Sequence, residues 1–232
     1  GCGALGRASR GSGLPSAAES GLHRQGNTLF ITCLVAVELE PGKRRWHYQL
    51  VHHDIWDRDV PCAAILCDIP HNGKIVKALA QPSKQGFLYV LNRATGEPIW
   101  PIPELPVPAG NVPGEWYSPT QPFPSKPPAY ETQSINADTV IDFTPELHAQ
   151  ALELISHYRT GGIYQPPMTG SLDGRWGAPF TPSSQGGTTW AGGGLAAAPA
   201  RRSQDLSVRV HLPTPSHPDP DPLGVCRRSA LS

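Results

Sequence analysis

The chain has 232 residues, with 19 Lys plus Arg against 19 Asp plus Glu and a formal net charge of zero. Balanced charge gives no electrostatic footprint for nucleic acid or an anionic membrane, and no apolar run approaches the roughly 18 residues of a spanning helix. With 38% hydrophobic residues, 27 prolines and 24 glycines, the composition excludes a bundle of long helices and favours a loop-rich, mainly β chain.

Five cysteines, Cys2, Cys33, Cys62, Cys67 and Cys226, form no Cys-x-x-Cys pair. They read as small buried hydrophobes rather than zinc or redox centres. Residues 1–25 are rich in Gly, Ser, Ala and Arg without apolar periodicity, and are expected to be irregular or disordered. They lack an initiating Met and the apolar core of a signal peptide, as in the interior of a longer chain.

The run 28–39 is nearly continuously apolar and β-branched, the pattern of a strand buried on both faces. Pro41-Gly42 is a turn, and 43–49 is the returning strand. Strands are also expected over 62–68, 74–80 and 85–93, with Asn72-Gly73 as a tight hairpin turn between the first two. Trp46 follows Gly42 by four residues, and Trp100 follows Gly96 by four. Such a repeat suggests two hairpins that each lay a tryptophan flat on a neighbouring sheet.

The stretch 101–130 is too dense in proline for a helix or a central strand. It reads as an extended loop, and Trp116, Tyr117 and Phe123 argue that it packs against something. Thr144-Pro145-Glu146 opens the single good helix, with Thr144 as N-cap, Pro145 at the first helical position and Glu146 on the positive end of the dipole. Leu147, Ala151, Leu154 and Tyr158 would form its packed face, and Gly161 or Gly162 its end. Residues 195–232 read as low complexity and disorder. The abrupt compositional change at both ends suggests a truncated or frame-shifted coding sequence.

The densest set of titratable and aromatic groups lies in Trp46-His47-Tyr48-Gln49-Leu50-Val51-His52-His53-Asp54-Ile55-Trp56-Asp57, followed by Pro82-Ser83-Lys84-Gln85-Gly86. With Ser118-Pro119-Thr120-Gln121-Pro122-Phe123-Pro124 and Tyr164-Gln165-Pro166-Pro167, these motifs resemble the quinoprotein dehydrogenases that use pyrroloquinoline quinone (PQQ). Within that family the membrane-bound glucose, polyol and quinate enzymes are most similar. The likeness covers residues 26–194. It implies a partial eight-bladed β-propeller of about three blades, with one surface helix and long Pro-rich loops. The paired tryptophans resemble the family's tryptophan-docking motif, although Glu38 and Asn92 stand where Asp is usual. Gln185-Gly186-Gly187-Thr188-Thr189-Trp190-Ala191-Gly192-Gly193 resembles a glycine-rich strand that lies close to the cofactor.

PQQ is a planar tricyclic ortho-quinone with three carboxylates. By resemblance Asp54 is the general base, desolvated by Ile55 and Trp56, and also a calcium ligand. Lys84 would contact the quinone oxygens, with Thr189 and Trp190 as further cofactor contacts. The resemblance implies oxidation of a sugar or alcohol hydroxyl, electrons passed to a quinone acceptor, further calcium ligands from upstream segments, and a periplasmic setting, anchored to the inner membrane through another segment. The remaining propeller blades are the implied partner, and the isolated chain is expected to be inactive. Two other readings stay open on the residues alone: a non-enzymatic propeller-like binding module, and a hydrolase using His52, His53 and Asp54 around a transition metal.

Overall fold

A computed structural model of the chain describes residues 2–3, 7–12, 21–40, 42–170, 174–188 and 193–194. Three antiparallel sheets and one helix account for the regular structure of these residues. The first sheet has the order β1 (Cys2–Gly3), β2 (Arg7–Gly11), β3 (Cys33–Glu38), β4 (Arg44–Gln49). The second is a meander of β5 (Ile65–His71), β6 (Lys74–Pro82) and β7 (Leu88–Asn92). A two-stranded ladder of β8 (Glu104–Pro106) and β9 (Thr120–Pro122) is the third. The mainly β expectation with a single helix, α1 (Pro145–Ser156), is met.

The expected irregular segment 1–25 is corrected at its start. β2 pairs along β3 from Arg7 opposite Glu38 to Gly11 opposite Leu34. The reason lies in the backbone: β3 is buried at Cys33, Leu34 and Ala36, so the polar groups on its outer edge need a partner strand whatever side chains that strand carries. The first strand is also shorter than 28–39. Residues 28–32 form a turn, with Ile31 N–H donating to Thr28 O at 2.9 Å and positive φ at Thr28 (53°) and Thr32 (48°). Their β-branched character is overridden by long-range bonds, because Thr32 accepts from Leu50 N–H through its carbonyl and donates its hydroxyl to Asp54.

Asn72 (φ 50°) and Gly73 (φ 73°) turn the β5–β6 hairpin as expected. The loop 101–130 is corrected in part, since it contains the β8–β9 ladder. Both its strands end in proline and the ladder has only two strands, so each proline sits on an edge.

Trp46 shows how the first two sheets join. Its indole is buried and leaves β4 to lie on the turn after β7, with Nε1 donating to Arg93 O at 3.2 Å. A Cβ on Gly96 would stand 2.7 Å from the ring, so a glycine is required beneath it. Trp100 behaves differently. It is half-buried against the β5–β7 sheet, edge-on to His71 with ring centroids 6.1 Å apart. One core cluster, including Leu34, Trp46, Leu50, Trp56, Leu79 and Tyr164, spans both sheets and the loop 50–60.

Helix α1 starts as its sequence dictates: Thr144 Oγ1 accepts from Leu147 N–H at 3.3 Å and Pro145 occupies the first turn. It ends earlier than Gly161, at the cap residue His157. Its packed face is also corrected. Leu147 and Leu154 are exposed, while His148, Ala151, Leu152 and Ile155 are half-buried at helical spacing. No residue of the helix is buried, so it is a peripheral element. No helix among the described residues is long and apolar enough to cross a membrane.

Candidate active site

The four sequence motifs meet in one place, around the loop 50–60. Tyr164 packs edge-on against Trp56 with centroids 5.4 Å apart, and Trp56 Nε1 donates to Gln165 O at 2.8 Å. Gln121 grips the backbone of His52 from both sides: its carbonyl accepts from His52 N–H at 2.8 Å and its amide donates to His52 O at 2.7 Å. Residues that read as family signatures are therefore, in large part, the bolts of a loop that must be held still.

Asp54 is fully buried at the centre of this loop. Its Oδ1 accepts from Trp56 N–H at 3.0 Å, and its Oδ2 from Thr32 Oγ1 at 2.9 Å and Arg58 N–H at 2.8 Å. Burial raises the carboxyl to a pKa of about 6, opposed by the bonds from Trp56, Thr32 and Arg58 and by the Arg58 charge. The expected raised pKa is present, but both oxygens are committed to the fold of the loop.

His52 and His53 diverge. The His52 ring bridges Gln49 Oε1 at 2.8 Å and Glu104 Oε1 at 2.9 Å near the surface. His53, at φ 46° and buried, turns inward, where Nε2 meets Glu115 Oε1 at 3.0 Å and Nδ1 meets Gly26 O at 2.8 Å. With Asp54 bonded elsewhere, the three side chains do not converge, which removes the geometry a shared transition metal would need. Among the described residues no three His, Cys, Asp or Glu side chains form a metal-sized group.

Lys84 sits in the turn that follows β6. Gly86 (φ 78°) closes that turn with its N–H on Ser83 O at 3.0 Å. Tyr130, from the end of the Pro-rich loop, clamps it: its N–H donates to Gly86 O at 2.9 Å and its hydroxyl to Ser83 O at 2.9 Å. The lysine side chain is nearly buried, and Nζ reaches Asp57 Oδ2 at 3.2 Å and Asp59 Oδ1. The structure thus brings Lys84 to the loop of Asp54, but its carboxylate partners are Asp57 and Asp59, which the sequence reading passed over. A signal existed: Asp57-Arg58-Asp59 sets two carboxylates two positions apart on either side of an arginine. Asp57 and Asp59 are the open carboxylates of the loop, at 34% and 25% side-chain exposure.

Arg58, between them, points the other way and is fully buried. Its Nη1 lies 3.4 Å from both Lys84 O and Ser183 O, and its guanidinium sits 5.2 Å from the centre of the Phe180 ring. Burial lowers its pKa, and Tyr164, Asp54 and Asp57 oppose that. Its Nε and Nη2 are buried with no hydrogen-bond partner among the described residues.

The glycine-rich stretch reaches this site from the far side. Gly187 N–H donates to Lys84 O at 3.0 Å, and a Cβ on Gly186 would strike the Lys84 stem. These two glycines let backbone approach the lysine closely. Thr189 and Trp190, expected cofactor contacts, lie outside the described residues.

Comparisons with known proteins bear on this constellation. The family model described as "PQQ: Glucose/ethanol/alcohol dehydrogenase, beta-propeller domain" matches residues 11–204. A quinoprotein glucose dehydrogenase of Gluconobacter oxydans (strain 621H) is 47% identical over 95 residues, 40% of this chain and 12% of the relative. The glycerol dehydrogenase large subunit of the same organism is 34% identical over 163 residues, 68% of this chain and 21% of the relative. A quinate/shikimate dehydrogenase (quinone) of Acinetobacter baylyi is 33% identical over 156 residues, 63% of this chain and 19% of the relative. The chain therefore spans between 12% and 21% of the length of these curated relatives.

Proposed function

Since the chain belongs to the PQQ glucose/ethanol/alcohol dehydrogenase β-propeller family, we propose that it supplies the base-and-lysine wall of a quinoprotein dehydrogenase site acting on a sugar, polyol or hydroxy acid. The fold is accordingly a part of a propeller, its sheets joined through Trp46. The observation that carries the proposal is the meeting of Lys84 with Asp57 and Asp59 beneath a loop fixed by all four family motifs.

The residues present fit an anionic quinone; toward a hard cation the described residues offer two carboxylates, both on Lys84, and no group of three. Arg58 has two buried donors without partners and Lys84 a nearly buried ammonium, both suited to carboxylate and quinone oxygens. Asp57 and Asp59 are oxygen donors that would supply two of the roughly six to eight ligands of a calcium ion. A quinone held there would supply the two-electron oxidant for the substrate alcohol. Asp57, the more exposed of the two carboxylates on Lys84, would take the hydroxyl proton. Lys84 holds a positive charge where negative charge develops. Asp54 keeps the loop in shape. A second reading leaves the base at Asp54, favoured by its pKa near 6, and requires the loop to release one of its oxygens.

Equilibrium dialysis against PQQ with and without calcium tests the cofactor reading; saturable, calcium-enhanced binding is expected, and no binding under either condition overturns it. In a chain completed by the remaining propeller blades, dye reduction with glucose, glycerol and quinate then separates the two carboxylates. Asp57→Asn should abolish turnover at undiminished PQQ binding. A full loss with Asp54→Asn alone, in a protein that still melts cooperatively, would move the base to Asp54. A final electron transfer to a quinone acceptor belongs to this proposal as the re-oxidising half of the cycle.

A further inference from the structure

Arg58 presents an unusual chemical situation. A fully buried guanidinium is costly unless its donors are satisfied, yet Nε and Nη2 have no hydrogen-bond partner among the described residues. These two nitrogens are not a random pair. Their N–H bonds run parallel along one edge of the planar group, the fork that receives the two oxygens of a carboxylate side by side. The other edge is already anchored, with Nη1 on the carbonyls of Lys84 and Ser183. One face lies toward Phe180. The group is thus held in position with its recognition edge left over.

The carboxylates of the same loop do not fill that edge. Asp54 accepts from Thr32, Trp56 and Arg58 N–H. Asp57 and Asp59 are both turned to Lys84.

We infer that the Nε/Nη2 edge of Arg58 is a receptor for a carboxylate brought in by a ligand. Two sources have that chemistry: one carboxylate of the tricarboxylate quinone, which rests on the functional reading above, or the acid group of a hydroxy-acid substrate. Either would neutralise the buried cation. A neutral polyol leaves the fork empty, so Arg58 would bias the site toward acidic ligands.

The test uses this chain, its Arg58→Met variant and its Arg58→Lys variant, the last retaining the charge without the fork. Each is titrated by equilibrium dialysis with PQQ, with PQQ trimethyl ester and with quinate, and cooperative thermal unfolding confirms the fold of each. Two results support the inference. In the first, the wild-type chain prefers PQQ over its ester by at least about tenfold, and both variants lose that preference, which assigns the cofactor as the source. In the second, PQQ and its ester bind alike while quinate binds only to the wild-type chain, which assigns the substrate. The inference is overturned if no Arg58-dependent preference for a free carboxylate appears in either titration. Equal binding of PQQ and ester in that case leaves the cofactor reading standing, whereas binding of neither removes that reading separately. Should both variants fail to fold, the comparison of PQQ, ester and quinate on the wild-type chain still decides: absence of any carboxylate preference overturns the receptor.

Discussion

Asp54 and Asp57 are the same residue type, three positions apart in one loop, and the fold puts them to opposite uses. Asp54 is sealed, its oxygens filled by one hydroxyl and two backbone N–H groups. Asp57, at φ 58°, swings its carboxylate outward to Lys84. The difference teaches that two carboxylates of one short loop can be given separate tasks by their surroundings. What it is bonded to decides, because an acceptor already saturated by the backbone has a structural task before it has a chemical one.

The strongest challenge to that contrast is truncation. Asp54→Ala should lower unfolding stability by about 3–5 kcal/mol, since it strands three buried donors and leaves the Arg58 charge less compensated. Asp57→Ala should cost about 1 kcal/mol or less at its more open position. Urea unfolding midpoints check both, and equal losses would erase the distinction.

Titration sharpens it. Burial raises Asp54 from 3.8 to about 6, so between those values the folded state binds more protons than the unfolded one. Stability from this group is therefore greatest below pH 4 and falls as pH rises toward 6, by about 3 kcal/mol. Asp54→Asn should flatten that fall in a pH series of melting curves, while Asp57→Asn should leave it in place.

The smallest effect belongs to the open pair. A double-mutant cycle of Lys84→Met with Asp57→Asn should give a coupling of about 0.5–1 kcal/mol, reduced by salt. A coupling several times larger would mean that Asp57 is as structural as Asp54.

Much of the fold is legible because its signals are local. The Asn72-Gly73 turn and the Thr144 cap each act through neighbours within a few residues. The elements that escape depend on distant partners. β2 exists because β3 needs an edge partner, and 28–32 leaves the strand because Thr32 must reach Asp54. The helix face differs from the expected one because periodicity ranks Leu147 and Leu154 by hydropathy, whereas packing favours the stripe through Leu152 and Ile155. At the site, the sequence located the loop and Lys84 but not which carboxylate meets it. That choice turns on the left-handed backbone at His53 and Asp57, a region these two residue types enter more readily than most but still too rarely for the sequence alone to mark the positions.

The Trp46 indole has its seat on a turn 47 residues further along, at Arg93, with Gly96 beneath the ring. During synthesis the first hairpin must therefore wait with a large apolar ring uncovered until the second has been made. Closure of the two is a late, non-local event, slower than the formation of either hairpin. The interval before it is when a growing chain most needs shielding from its neighbours.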